Sequence, residues 1–164
     1  MKNTQDKCVE KYGDPLWNIK KFENNNMTKF RIDKDLTKVI PCLPAFIYCN
    51  IDLLKPLECA FSNILSKGLG KEIVSYDGCY NPRYIRDSSN AVRTPSQLSM
   101  HAFGLALDFN ANTNPLGSAG TTFSKAFIAC FTDCGFTWGG NFLHRLDPMH
   151  FEYSPFLKNE SINN

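Results

Sequence analysis

Two stretches of the chain repeat apolar residues at intervals of three and four. In LKPLECAFSNILSKGLG (54–70), Leu57, Ala60, Phe61, Ile64 and Leu65 fall on one stripe of a helix. Pro56 stands near its start, where a missing N–H costs little, and Gly68 lies just past its end. In TTFSKAFIACFTDCGF (121–136), Phe123, Ala126, Phe127, Cys130 and Phe131 line a second helical face. Thr121 or Thr122 is the expected cap there, and Gly135 the stop. Three other stretches predict strands: a short one within KEIVSYDGCY (71–80), a buried one in GLALDFNA (104–111) and a last one in MHFEYS (149–154). The segments between them, 81–98, 112–121 and 137–148, carry the polar, Gly and Pro signals of loops.

The first 50 residues carry less pattern. FENNNMTKF (22–30) is a polar break, and IPCLPAF (40–46) holds two prolines that forbid a regular helix. Trp17, Ile19, Phe22, Phe30 and Ile32 nevertheless predict a segment packed over the rest rather than a free tail. The sum is an α+β domain spanning 1–164, with helices packed on a small, mainly antiparallel sheet.

Composition narrows the function classes. The chain is 43% hydrophobic and 21% charged, the balance of an ordinary globular protein. No apolar run approaches the roughly 20 residues of a membrane span. The start, MKNTQDKCVEKYGD, lacks the apolar centre of a signal peptide, so cytoplasmic synthesis without standard secretion is expected. A net charge of +2 is too small to argue for nucleic acid, and a monomer with no membrane or nucleic-acid partner is expected. Seven cysteines include no CxxC pair and none spaced from a histidine as in a zinc finger. Buried or free thiols are the expected state, with Cys130 and Cys134 side by side on the second helix.

One residue stands against the apolar patterning. In SMHAFGLALDF (99–109), an aspartate sits near the end of a run that otherwise faces a core. A carboxylate buried alone is far too costly, so Asp108 needs a partner. There are three histidines. His101 shares this run, and His150 lies in DPMHFEYS with Asp147 before it and Glu152 on the same strand face. Two imidazoles and one carboxylate suffice for a catalytic zinc, with a fourth position open to water whose pKa the metal lowers to roughly 7. His101, Asp108 and His150 can supply the ligands, and Asp147 or Glu152 the base. Blander alternatives exist: core histidines satisfied by ordinary hydrogen bonds, Asp108 paired with Arg83, Arg86 or Arg93, and Glu152 facing solvent. His144, in a Gly-rich loop without a matching partner, is left out of the site.

SMHAFGLALD resembles the SxHxxGxAxD signature of the zinc peptidases that cut bacterial cell walls. These are the D-Ala-D-Ala carboxypeptidase and L-alanyl-D-glutamate endopeptidase family, which includes phage endolysins. WGGNF…DPMHFE is similar to that family's second signature, and GCYNPRYIR to its arginine-bearing stretch. The three cover roughly residues 76–154 in the right order. The resemblance implies the Hedgehog/D-Ala-D-Ala peptidase-like zinc fold and zinc ligands His101, Asp108 and His150. It makes Asp147 the catalytic base and gives Glu152 the task of orienting a ligand imidazole. Arg83, with Arg86 as the alternative, would stabilise the oxyanion. DSSNAVRTPSQ, between these arginines and His101, departs from the commoner form of the motif. Ser99 matches the motif serine and would bind substrate or a ligand. Gly104 and Ala106 match where larger side chains would crowd the metal.

The activity so implied is zinc-dependent hydrolysis of amide bonds in peptidoglycan stem peptides, for phage lysis or wall penetration. The enzyme would act in the cell wall or periplasm after release, or as part of a virion. Two rivals come from other classes. One is a non-catalytic, zinc-stabilised wall-binding module of the same fold. The other is a cysteine hydrolase, for which no residue is marked out.

Overall fold

The computed structural model describes residues 2–86, 91–92 and 97–156. The amino-terminal third is more regular than its sequence predicts. It forms α1 (Thr4–Tyr12), α2 (Ile19–Asn26), β1 (Met27–Arg31), α3 (Lys34–Val39) and β2 (Phe46–Asn50). Each helix is short and starts from a polar side chain that accepts an orphan N–H: Asn3 from Asp6, Asn18 from Lys21, Asp33 from Leu36. β1 and β2 pair antiparallel, from Met27 opposite Asn50 to Arg31 opposite Phe46. The polar break is thus the end of α2 running straight into a strand. IPCLPAF carries the chain into the partner strand and is non-helical, as the prolines require.

α4 (Leu54–Lys67) matches its predicted stripe: Leu57, Ala60, Phe61 and Ile64 are buried. Gly68 ends it in the left-handed conformation at φ 66°. β3 (Tyr76–Gly78), β4 (Ala106–Phe109), α5 (Lys125–Thr132), β5 (Phe136–Trp138) and β6 (His150–Tyr153) come next. Four of these strands make one sheet in the order β3-β4-β6-β5, every neighbour antiparallel. The α+β class with a small antiparallel sheet is what the pattern predicts. β5 is not: Phe136–Trp138 lies where a helix end and a loop are expected, and pairing with β6 makes it a strand.

The start of α5 also differs. Ser124 caps it, its hydroxyl accepting from the Phe127 N–H at 3.1 Å. Thr121 and Thr122 are occupied with Asn114 instead. The Glu72 carboxylate accepts from both the N–H and the hydroxyl of Ser124 at 2.7 Å, so a distant side chain helps fix where the helix begins.

Register gives the sheet two different faces. Leu107 lies opposite Phe151, and these join Phe109, Phe127, Phe131 and Phe136 in an aromatic core beneath α4 and α5. Asp108 lies opposite His150 and Ala106 opposite Glu152, on the other face.

The expectation for the cysteines needs correction. Cys134 is not a thiol beside Cys130; it bonds Cys59 of α4 across 75 residues, with the Cα atoms 5.9 Å apart. Cys8, Cys42, Cys49, Cys79 and Cys130 are free. Among the described residues no helix is long and apolar enough to cross a membrane.

Candidate metal centre

His101 stands in a 3-10 turn, Met100–Phe103. Ser99 caps the turn, its hydroxyl accepting from the His101 N–H at 3.3 Å. Gly104 ends it at φ 67°. A side chain at Gly104 would meet Met27 Cε at 2.6 Å and Asn50 N at 2.8 Å. That glycine is needed because the end of β2 docks there: Asn50 N donates to Gly104 O at 2.9 Å, and Asn50 Nδ2 to Phe103 O at 3.0 Å. The site turn is thus held from the amino-terminal strands, a different reason for Gly104 from crowding at the metal. Ala106, wholly buried, is the small residue opposite Glu152.

The turn and two strands bring three side chains together. His101, Asp108 and His150 each offer a ligand atom, and all three atoms lie within 4.8 Å of one another. Asp108 Oδ2 is 3.1 Å from His101 Nε2, and Oδ1 is 2.9 Å from His150 Nδ1. The two ring nitrogens are 3.2 Å apart. The far side of each ring is already engaged. His101 Nδ1 is 2.7 Å from the Cys79 carbonyl oxygen, and His150 Nε2 is 3.0 Å from Glu152 Oε2. Both partners are acceptors, so with a metal bound each imidazole would place its one N–H outward and its lone pair inward. Without a cation, protons on the inward nitrogens bridge to the Asp108 carboxylate at 2.9 and 3.1 Å; a metal ion would take the place of those protons.

The electrostatics carry the same sign. Burial by itself would push the Asp108 carboxyl up. The hydrogen bonds to His101 and His150 outweigh it and hold the group well below the usual carboxylate range. Burial would lower His150, but its contacts with Asp108 and Glu152 raise it to about 10. The cluster stabilises positive charge, and its two-imidazole, one-carboxylate donor set fits a divalent transition metal. The partners of Asp108 are therefore the histidines rather than Arg83 or Arg86; Arg93 lies outside the described residues.

The cluster forms part of the lining of an open cavity of about 640 Å³. Asp147 lines it too. One of its oxygens is buried with no hydrogen-bond partner among the described residues. Burial raises its pKa, partly countered by His150 and reinforced by Asp108. WGG builds this corner. Trp138 Nε1 donates to Pro148 O at 2.9 Å, and Gly139 O accepts from Asp147 N at 2.9 Å. A Cβ at Gly139 would strike the Asp147 carbonyl, and one at Gly140 the Trp138 ring.

Arg83 and Arg86 reach the cavity wall from the segment before the turn, as does Ser99. Two further residues of the wall went unread in the sequence as site residues. Arg145 lies in the loop before Asp147, and the exposed His144 beside it lines the cavity after all. Neither belongs to a periodic element, so nothing in the pattern announces them. The free cysteines offer no nucleophile: burial raises all five thiols, Cys79 most plainly, and a thiolate is the reactive form.

A model of the D-alanyl-D-alanine carboxypeptidase family matches residues 93–153. The match takes in His101, Asp108, Asp147, His150 and Glu152, and leaves out Arg83, Arg86 and the amino-terminal elements. No curated protein and no solved structure matches the chain. Over the segment that holds the whole cluster, the chain is similar to these carboxypeptidases, and the match supports a peptidase with a metal site of two histidines and an aspartate.

Proposed function

We propose that the chain is a zinc-dependent peptidase, working as one domain, that hydrolyses amide bonds in peptidoglycan stem peptides. L-Ala-D-Glu endopeptidase and D-Ala-D-Ala carboxypeptidase are the two bond specificities that fit, with phage lysis or wall penetration as the setting. The observation that carries the reading is the convergence of ligand atoms from His101, Asp108 and His150 in an open cavity beside Asp147.

His101, Asp108 and His150 would hold the zinc. When bound, it supplies Lewis-acid polarisation of the scissile carbonyl and a lowered pKa for water. Glu152 and the Cys79 carbonyl keep the two rings turned inward. Asp147 would take a proton from the attacking water as the C–O bond forms, then deliver it to the leaving amine as the C–N bond breaks. Its buried, unpartnered oxygen leaves it a basic carboxylate rather than a structural one. Arg83, with Arg86 as the alternative, meets the carbonyl oxygen as it gains charge. Ser99 acts by fixing the turn that carries His101.

A metal-stabilised binding module would use the same ligands but gives no reason for a buried, unsatisfied Asp147 at the cavity. Elemental analysis and cell-wall turbidity decide between the two readings, and mass spectrometry of the released fragments identifies the bond. One zinc per chain with clearing of walls is the expected result. Full zinc occupancy in His150→Ala would refute the ligand set, and zinc-loaded protein that leaves walls intact would refute the activity.

A further inference from the structure

The amino-terminal helix lies outside both the motifs and the family match, yet it reaches the cavity. Gln5, in the first turns of α1, lines the wall together with Gln97 and Asn81. Gln97 Nε2 donates to Gln5 Oε1 at 3.2 Å, a contact across 92 residues of chain. That bond uses one group from each carboxamide. Gln5 Nε2, a donor, and Gln97 Oε1, an acceptor, keep no other partner among the described residues. A neighbouring donor and acceptor are the complement of the C=O and N–H that an extended peptide presents along one edge.

The helix that carries Gln5 is firmly placed. Cys8 on it is wholly buried, and Lys11 and Tyr12 bond the Asp52 carboxylate at 2.7 and 2.6 Å. α1 also packs on the 3-10 turn of His101, so the amide pair is fixed relative to the metal cluster. Both carboxamides of the pair are uncharged. A neutral pair suits main chain better than a carboxylate.

We propose that Gln5 and Gln97 form a subsite for the substrate main chain, and that Gln5 makes the amino-terminal helix a determinant of substrate binding. The inference rests on the peptidase reading above. Its test uses the full zinc-loaded chain with stem peptides and Gln5→Ala, Gln5→Glu and Gln5→Met. Gln5→Glu keeps an oxygen for Gln97 Nε2, and so keeps the inter-segment bond, but has no donor at neutral pH. Gln5→Met removes the donor without adding charge. One neutral hydrogen bond is worth about 3–10-fold. KM should rise by that factor in all three variants, with kcat within about twofold and zinc content unchanged. A wild-type KM in Gln5→Glu would mean that Gln5 only staples α1, and would overturn the proposal. So would an equal fall in kcat, since that reports a disturbed metal centre. Wild-type protein that binds zinc but cleaves no stem peptide would refute the peptidase reading instead, and the subsite with it.

Discussion

Gly139→Ala tests how the second signature builds the site. The residue has no need of a left-handed backbone, so alanine is permitted there by conformation and opposed only by space. The new Cβ would sit against the Asp147 carbonyl oxygen, with Asp147 Cβ and His150 Cβ each 3.1 Å away. Ordinary separation between such atoms is about 3.5 Å, so Asp147 must retreat by roughly 1 Å and His150 by a few tenths of an ångström. Neither can move freely: Asp147 N is tied to Gly139 O at 2.9 Å, and His150 is held by Asp108 and Glu152. Overpacking of this kind costs about 1–3 kcal/mol of stability. A base displaced by about 1 Å costs on the order of 100-fold in rate. The assay is wall clearing together with zinc content and thermal unfolding on the same preparation. The expected variant is folded, slightly less stable, and about 100-fold slower. Wild-type turnover in Gly139→Ala would show that Asp147 does no positioned chemistry.

Asp147→Asn keeps the size of the side chain but cannot accept the proton, so it should retain zinc and lose about 10²–10⁴-fold in rate. Glu152→Gln should lose about 10–100-fold, because Glu152 only orients His150; the reverse ranking, with zinc bound in both, would exchange the two roles. Cys59→Ser opens a bridge that closes a 75-residue separation. It should lower unfolding free energy by about 4 kcal/mol on a chain-entropy model, read by denaturant melts with and without reductant. Equal midpoints for variant and wild type under oxidising conditions would show that the bridge does not form.

Local periodicity and side-chain chemistry were determined by the sequence alone. α4 was legible because five apolar residues repeat at helical spacing between a proline and a glycine. β4 and β6 were legible because their residues alternate between a core and a polar face. Asp108 was marked by the cost of placing a carboxylate in such a strand, and His150 by its acidic neighbours. Tertiary structure decided whatever depends on partners far away in the chain. β5 is a strand because β6 lies beside it, and α5 starts at Ser124 where Glu72 receives it. Cys134 faces Cys59 only once α4 and α5 are packed. The inward turn of both imidazoles needs the Cys79 carbonyl and Glu152, and Gly104 is required by the docking of Asn50. Gln5 reaches the cavity because α1 packs on the turn of His101. Such contacts leave no periodic trace, since a side chain's own neighbours in sequence do not record what the fold brings against it.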